Sequence, residues 1–240
     1  MKAIILAAGV GSRLGDLTKE LPKSLVDING KSIIERQISS FRKAGIDDIV
    51  LVIGHFAEKY LFKNVKYING KKSFSHNILY SLIEAKSEMT DDVIISYGDI
   101  IFEDSIIRTL LNSKNGIGLA IDLEREKIYQ NKPKKIVDKV CNVFIANNQI
   151  TKIGYKKNLG EPGKKTIGEF IGLAKFSKKT ITDFLKIYLE LEKTHKGKFH
   201  ESSSVKEGII TDMLQEFIDR NYRLNPIFVS GKWCEIDTID

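Results

Sequence analysis

With 240 residues, 42% of them hydrophobic, the chain is long enough to bury one sizeable core and short for two independent domains. A charged fraction of 29% beside 12 Phe and 8 Tyr excludes a disordered or fibrous chain. The formal net charge of +7 admits anionic partners. No aromatic RNA-binding motif, zinc knuckle or continuous basic helix accompanies the lysine clusters at 127–139, 152–157 and 164–165, so nucleic acid is not an expected partner.

Two widely spaced cysteines, Cys141 and Cys234, point to a reducing, cytoplasmic compartment rather than a disulfide scaffold. The apolar run at 3–8 is too short for a signal peptide, and nothing approaches the ~20 apolar residues of a membrane span, so no membrane partner is expected.

In chain order, a buried-type strand at 3–6 opens into a glycine turn. A helix then starts near Ser32, with Ile34, Ile38 and Phe41 at helical spacing and Gly45 as its stop. A strand at 49–53, a short helix at 57–62, a strand at 65–68, a helix at 77–85 and a strand at 93–96 follow. Asp104 is expected to cap a helix carrying Ile107, Leu110 and Leu111, before another strand at 117–121. Apolar runs at 140–145 and 149–153 about Asn147-Asn148 predict an antiparallel hairpin over the acceptor site, inserted after the parallel unit. A strand at 169–176, helices at 179–192 and 204–220 and a strand at 227–229 complete the pattern. The fold class is α/β: a Rossmann-like mixed, mainly parallel sheet flanked by helices. It forms one domain, with a nucleotide-binding half over about 1–125 and an acceptor half over about 126–240.

The chemistry concentrates in Leu6-Ala7-Ala8-Gly9-Val10-Gly11-Ser12-Arg13-Leu14, followed by Pro22-Lys23. A strand opening into Gly9 and Gly11 exposes backbone N–H groups to a triphosphate, whose charge Arg13 and an exposed Lys23 can neutralise. Leu14 occupies the position of the third glycine of a dinucleotide fingerprint, and Leu25 that of the first glycine of a Walker loop, so neither motif is present.

This segment resembles the signature of the nucleotidyltransferases that activate sugar phosphates, phosphocholine and phosphonates, L-A-A-G-x-G-x-R-L…P-K-x-L. The resemblance implies a fold like that of the GT-A enzymes, Mg²⁺ as cofactor, and attack by an acceptor phosphate on the α-phosphorus of a nucleoside triphosphate. Tyr97-Gly98-Asp99 matches the family's acidic residue after a core strand, and Trp233-Cys234-Glu235-Ile236-Asp237-Thr238 its W-x-E-I/V-D-T segment. By that likeness Asp99 and Asp237 hold the metal, with Glu235 either an outer ligand or a surface acid. Lys156, with Lys157 as competitor, matches the lysine that contacts the α-phosphate and the acceptor phosphate. The family usually continues beyond the last segment into a short helix, which implies a further terminal element.

Three segments, 77–82, 96–102 and 169–173, resemble the cytidylyltransferases of phosphocholine and aminoethylphosphonate type. That places Ser81 and the backbone of Leu6 and Ala8 near the base, favours CTP, and puts Tyr97 and Glu169 on the acceptor. Phosphoglutamine, 2-aminoethylphosphonate and phosphocholine remain open as acceptors, with Tyr155, Phe170 and Trp233 as candidate aromatic walls and capsule or cell-surface polysaccharide modification as the setting. Monomer and homodimer stay open. A sugar-1-phosphate uridylyl- or thymidylyltransferase and a non-catalytic nucleotide-binding module are the alternatives. His55, His76, His195 and His200 show no metal-ligand spacing and are assigned structural or surface roles.

Overall fold

The structure, a computed structural model, describes residues 1–9, 11–70, 77–113, 116–124, 129–130, 137–155 and 159–237. Four strands, β1 (Lys2–Ala7), β2 (Ile49–Ile53), β3 (Lys66–Asn69) and β4 (Val93–Tyr97), are joined in parallel, β1 lying between β2 and β4. The alternation of a strand explains why β1 is apolar throughout. Ile4 and Leu6 enter one core, while Ala3, Ile5 and Ala7 enter the other, so neither face can be polar.

A three-residue strand, β5 (Ile100–Phe102), follows β4 directly. Beyond it come β6 (Ile117–Asp122), β7 (Cys141–Ala146), β8 (Gln149–Tyr155), β9 (Thr166–Phe176), β10 (Asn225–Val229) and β11 (Trp233–Glu235). The main sheet runs β10-β6-β9-β4-β1-β2-β3, with β9 antiparallel to both of its neighbours, and the β7–β8 hairpin extends it by pairing β7 with β9. The mainly parallel, mixed sheet expected from the sequence is therefore present. The hairpin turns at Asn147 and Asn148, both with left-handed φ (50° and 54°), the geometry a tight two-residue connection needs.

Helices α1 (Ile33–Lys43) and α3 (Asp104–Asn112) cover one face. Helices α2 (Ile78–Glu84), α4 (Lys178–Thr194) and α5 (Ile210–Asp219) pack on the other. Ser32 caps α1 by accepting from Glu35 N–H, and Ser177 caps α4 by accepting from Thr180 N–H.

Three local expectations are corrected. Glu103, not Asp104, precedes α3, because the Asp104 carboxylate is drawn sideways to Ser40 (2.7 Å) and Lys43 (3.0 Å) on α1. The helix expected at 204–220 starts only at Ile210. Gly208 interrupts it by packing so close to α2 that a Cβ would meet Leu79 Cδ2 at 2.8 Å. The helix expected at 57–62 is a single 3-10 turn, Ala57–Lys59. Among the described residues no helix is long and apolar enough to cross a membrane.

Candidate active site

In an open parallel sheet the carboxyl ends of adjacent strands whose connections diverge form a crevice suited to ligands. Here those strands are β1 and β4, with Leu6 beside Tyr97 in register. The turns leaving them are pressed together: Gly98 N–H donates to Leu6 O at 2.9 Å, and a Cβ on Gly98 would sit 2.6 Å from that oxygen. Only glycine lets the two loops approach so closely. Gly11 carries the same demand twice, with φ +70° and its bare α-carbon against Lys23, where a Cβ would lie 2.5 Å from Lys23 Cβ. Ser12 begins the 3-10 turn that presents Arg13.

The close contact explains what Lys23 does. The exposed lysine expected from the sequence is in fact buried, its residue 7% accessible, with Nζ 2.8 Å from Asp99 Oδ2 and 2.5 Å from Asp237 Oδ1. Arg13 Nη1 also donates to Asp237 Oδ2. Burial is the largest influence on the Lys23 ammonium and disfavours its charge, but the two aspartates outweigh it and hold its pKa above 10.5. Burial likewise works against charge on Asp237, yet Lys23 and Arg13 keep that carboxyl below its ordinary range.

The third acid is Glu235. Carboxylate oxygens of Asp99, Glu235 and Asp237 lie within 4.8 Å of one another. As a residue Glu235 is exposed, but its carboxyl is crowded by protein atoms, and this desolvation, with the charges of Asp99 and Asp237, pushes it up to about 7. Three hard oxygen donors at such spacing suit a divalent cation such as Mg²⁺, which prefers carboxylates.

Local pairing brings these residues together from distant parts of the sequence. Strand β11 runs antiparallel to β5, with Glu235 opposite Ile100, and Ile236 N–H donates to Asp99 O at 2.9 Å. Beneath them Gln37 of α1 is 1% accessible and satisfied on both sides of its amide. It donates to Tyr97 O (2.8 Å) and Ile100 O (2.7 Å) and accepts from Ser96 Oγ (2.8 Å), bracing the loop that carries Asp99.

The acids and Arg13 line a cleft of about 1010 Å³. A family described as MobA-like NTP transferase domain matches residues 3–127, just over half of the 240. The chain belongs to that family. It is a nucleotidyltransferase, and its relatives include cytidylyltransferases. It is 29% identical, over 99% of its length and 96% of theirs, to a CTP:phosphoglutamine cytidylyltransferase of Campylobacter jejuni. It is 36% identical to a choline-phosphate cytidylyltransferase of Streptococcus pneumoniae, across 47% of this chain and 51% of that one. The structure of an inositol-1-phosphate CTP transferase from T. maritima shares the fold, with a TM-score of 0.73 at 23% identity over 99% of this chain and 89% of that one.

The transferase's cleft is also lined by side chains from the second half of the chain. Glu169 on β9 is 3% accessible and accepts from Tyr129 Oη at 2.8 Å. Tyr97, Tyr155, Phe170 and Trp233 all line the cleft, the rings of Tyr97 and Phe170 meeting edge-on at 6.0 Å. One end of the hairpin, Val140, Cys141 and Tyr155, forms a wall of it. Burial pushes the Cys141 thiol well above its ordinary range, so it supplies no thiolate at neutral pH.

Ser81 is buried on α2, which reaches the cleft instead through Asn77 and Ile78. Leu6 is committed to the sheet and to Gly98, while Ala8 and Gly9 continue from β1 into the turn. Val10, Lys156, Lys157, Thr238 and His76 lie outside the described residues. His195 bonds Lys198 O and His200 bonds Glu216, and no described histidine lines the cleft. Sequence reasoning missed Gln37, Tyr129 and β5. A glutamine on the apolar stripe of α1, beside Ile34, Ile38 and Phe41, was the available signal for the first.

Proposed function

We propose that the transferase is a Mg²⁺-dependent cytidylyltransferase, joining CMP from CTP to a small phosphorylated or phosphonate acceptor. Convergence of Asp99, Glu235 and Asp237 on the glycine turn after β1, with Lys23 among them, carries this reading. An acceptor oxygen, already ionised near neutral pH, forms a bond to the α-phosphorus of CTP. The bond from that phosphorus to the bridging oxygen breaks, and pyrophosphate leaves with the electron pair.

The chain's own residues position and neutralise. Backbone groups from Gly9 to Ser12 take the triphosphate, and Arg13 and Lys23 offset its charge. Asp99 and Asp237, with Glu235, would hold Mg²⁺, which when bound stabilises the charge developing on the leaving pyrophosphate. Lys156 remains the proposed bridge between α-phosphate and acceptor phosphate, and Ser81 with Leu6 and Ala8 the base side. The nucleotide half, 1–125, and the acceptor half, 126–240, then meet across the cleft.

Buried Glu169 suits a cationic or hydrogen-bonding group on the acceptor, with Tyr97 beside it. The names of the two cytidylyltransferase relatives support CTP as donor and phosphoglutamine or phosphocholine as acceptor. 2-Aminoethylphosphonate stays a third candidate, and a cytoplasmic route to cell-surface or capsule polysaccharide is the setting we propose. Purified protein offered four nucleoside triphosphates and a panel of these acceptors, with pyrophosphate release measured, tests the reading. CTP should turn over fastest and raise the melting temperature most at equal concentration, since stabilisation follows affinity. A larger shift and faster turnover with UTP or dTTP and a sugar 1-phosphate would replace it with a sugar-activating enzyme.

A further inference from the structure

Asp237 and Glu235 are presented by a ribbon that should not hold itself. Strands β5 and β11 have three residues each, and a two-stranded sheet of that size is marginal in water. The chain enters β11 from β10 through Gly231 and Lys232, both with left-handed φ (56° and 63°), a reversal that leaves the ribbon to be anchored from elsewhere. Two anchors lie on the chain at the end of β6 and just beyond it. Ser230 Oγ donates to Glu124 Oε1 at 2.6 Å, and the indole Nε1–H of Trp233 donates to Asp122 Oδ2 at 2.7 Å.

Asp122 is the unusual partner. It is the last residue of β6, wholly buried, and does not line the cleft. It stands between Val229 of β10 and Glu169 of β9 in the sheet register. A buried carboxylate is costly unless its oxygens are used. Here both are, one by the Trp233 indole and the other by Glu124 N–H at 2.7 Å.

We propose that Asp122 is a positioning residue for the cation cluster. Through the Trp233 indole it fixes the start of β11, and so the places of Glu235 two residues on and Asp237 four residues on, relative to Asp99. The inference rests on the metal reading of those carboxylates. Its consequence is that removing one remote hydrogen bond loosens metal binding without removing a ligand.

Trp233→Phe deletes the indole N–H and keeps an aromatic ring on the same strand. Asp122→Asn keeps the size but offers one acceptor where the protein needs two. Each would be compared with wild type by direct Mn²⁺ binding to the substrate-free protein, by the Mg²⁺ concentration giving half-maximal turnover, and by kcat at saturating Mg²⁺. Groups that orient metal ligands typically contribute 10- to 100-fold in affinity, so the Mn²⁺ dissociation constant should rise by about tenfold in either variant. The Mg²⁺ requirement should rise in parallel, and for Asp122→Asn, whose side chain lies outside the cleft, kcat should be largely recovered at saturation. The double variant should be little worse than either single one, because the two residues share one bond.

Should Asp122→Asn fail to fold, Trp233→Phe carries the test alone. Wild-type Mn²⁺ affinity in folded Trp233→Phe would overturn the proposal, as would a lowered kcat at saturating Mg²⁺ with unchanged metal affinity, which would place Trp233 on the substrate instead. Absence of Mn²⁺ binding by the wild-type protein would instead remove the metal reading itself, and the positioning role with it.

Discussion

Strand β1 has an ion network at each end, and the two are built in opposite ways. At its amino end buried Glu88 meets Lys2 at 2.9 Å and Lys66 at 2.5 Å, with Asp48 3.5 Å from Lys2, so two acids face two lysines. Beyond its carboxyl end three acids, Asp99, Glu235 and Asp237, face Lys23 and Arg13. Lysine bonds hold Glu88 below 4.5, whereas burial and its fellow acids push Glu235 up to about 7. The first network satisfies itself. The second is over-supplied with carboxylate, an arrangement that costs stability unless more positive charge arrives. On the proposed reading, that excess separates a site for a cationic guest from one that ties a strand to its neighbours.

Removing the excess should have the largest effect. Asp99→Asn and Asp237→Asn each keep side-chain size but lose the charge that holds a dication. We expect each to lower Mg²⁺-dependent turnover by about 10³ or more, with partial rescue at high Mn²⁺. The double variant should be little worse than either alone, as for groups that act as a unit. Additive losses would mean two separate sites, and an unchanged Mg²⁺ titration in either variant would take that aspartate out of the cluster. Lys23→Met comes next, with turnover lowered by about 10²–10³. Because Lys23 is buried between two aspartates, this variant should also melt lower in metal-free buffer and regain more stability than wild type when Mg²⁺ is added. A melting curve that ignores Mg²⁺ would count against the shared site.

The brace under the carboxyl end gives a smaller effect. Gln37→Met fills similar space but abandons the Tyr97 and Ile100 carbonyls and the Ser96 hydroxyl. Leaving buried partners unpaired should cost about 1–3 kcal/mol of stability, measured by denaturant titration. The Mg²⁺ requirement should rise with it, since Asp99 sits between the two abandoned carbonyls. A loss of stability with an unchanged Mg²⁺ requirement would show that the brace serves the core alone.

The contrast between the ends also tells which parts were legible in the sequence. Strands β1, β2 and β4 showed because they are buried on both faces, which leaves uninterrupted apolar runs. Gly11, Lys23, Asp99 and Asp237, which the structure brings together, stood out in the sequence through their resemblance to the family's segments. The burial of Lys23 did not show. It follows from Gly11 and Gly98 drawing two loops together, a contact between residues 76 positions apart that periodicity cannot carry. Strand β5 was missed because three residues make no period, and its partner β11 lies at the far end of the chain. The start of α5 was misplaced because an apolar pattern continues through Val205 and Ile209 while Gly208 packs on α2. Asp122 was hidden at the end of an apolar strand, where its role depends on an indole 111 residues away.

The amino-end network supplies the smallest expected effect and the control for the others. Glu88→Gln removes one charge from a balanced group a strand's length from the cleft, so turnover at 25 °C should not change. Its partners are partly solvated, Lys66 by more than half, which limits the loss to about 1 kcal/mol, or roughly 2–4 °C in melting temperature at neutral pH. The pH dependence has a definite sign. A carboxyl held below its unfolded value contributes stability that is fully present above that value and is lost as pH falls through the depressed one. Wild type and Glu88→Gln should therefore differ most above pH 4.5 and converge at more acid pH, where protonated Glu88 carries no more charge than glutamine. A melting series across this range checks the convergence. If the gap persisted in acid, packing rather than charge would hold the amino end. If turnover fell at neutral pH, the two ends of β1 would be coupled and their separation into a structural and a functional network would fail.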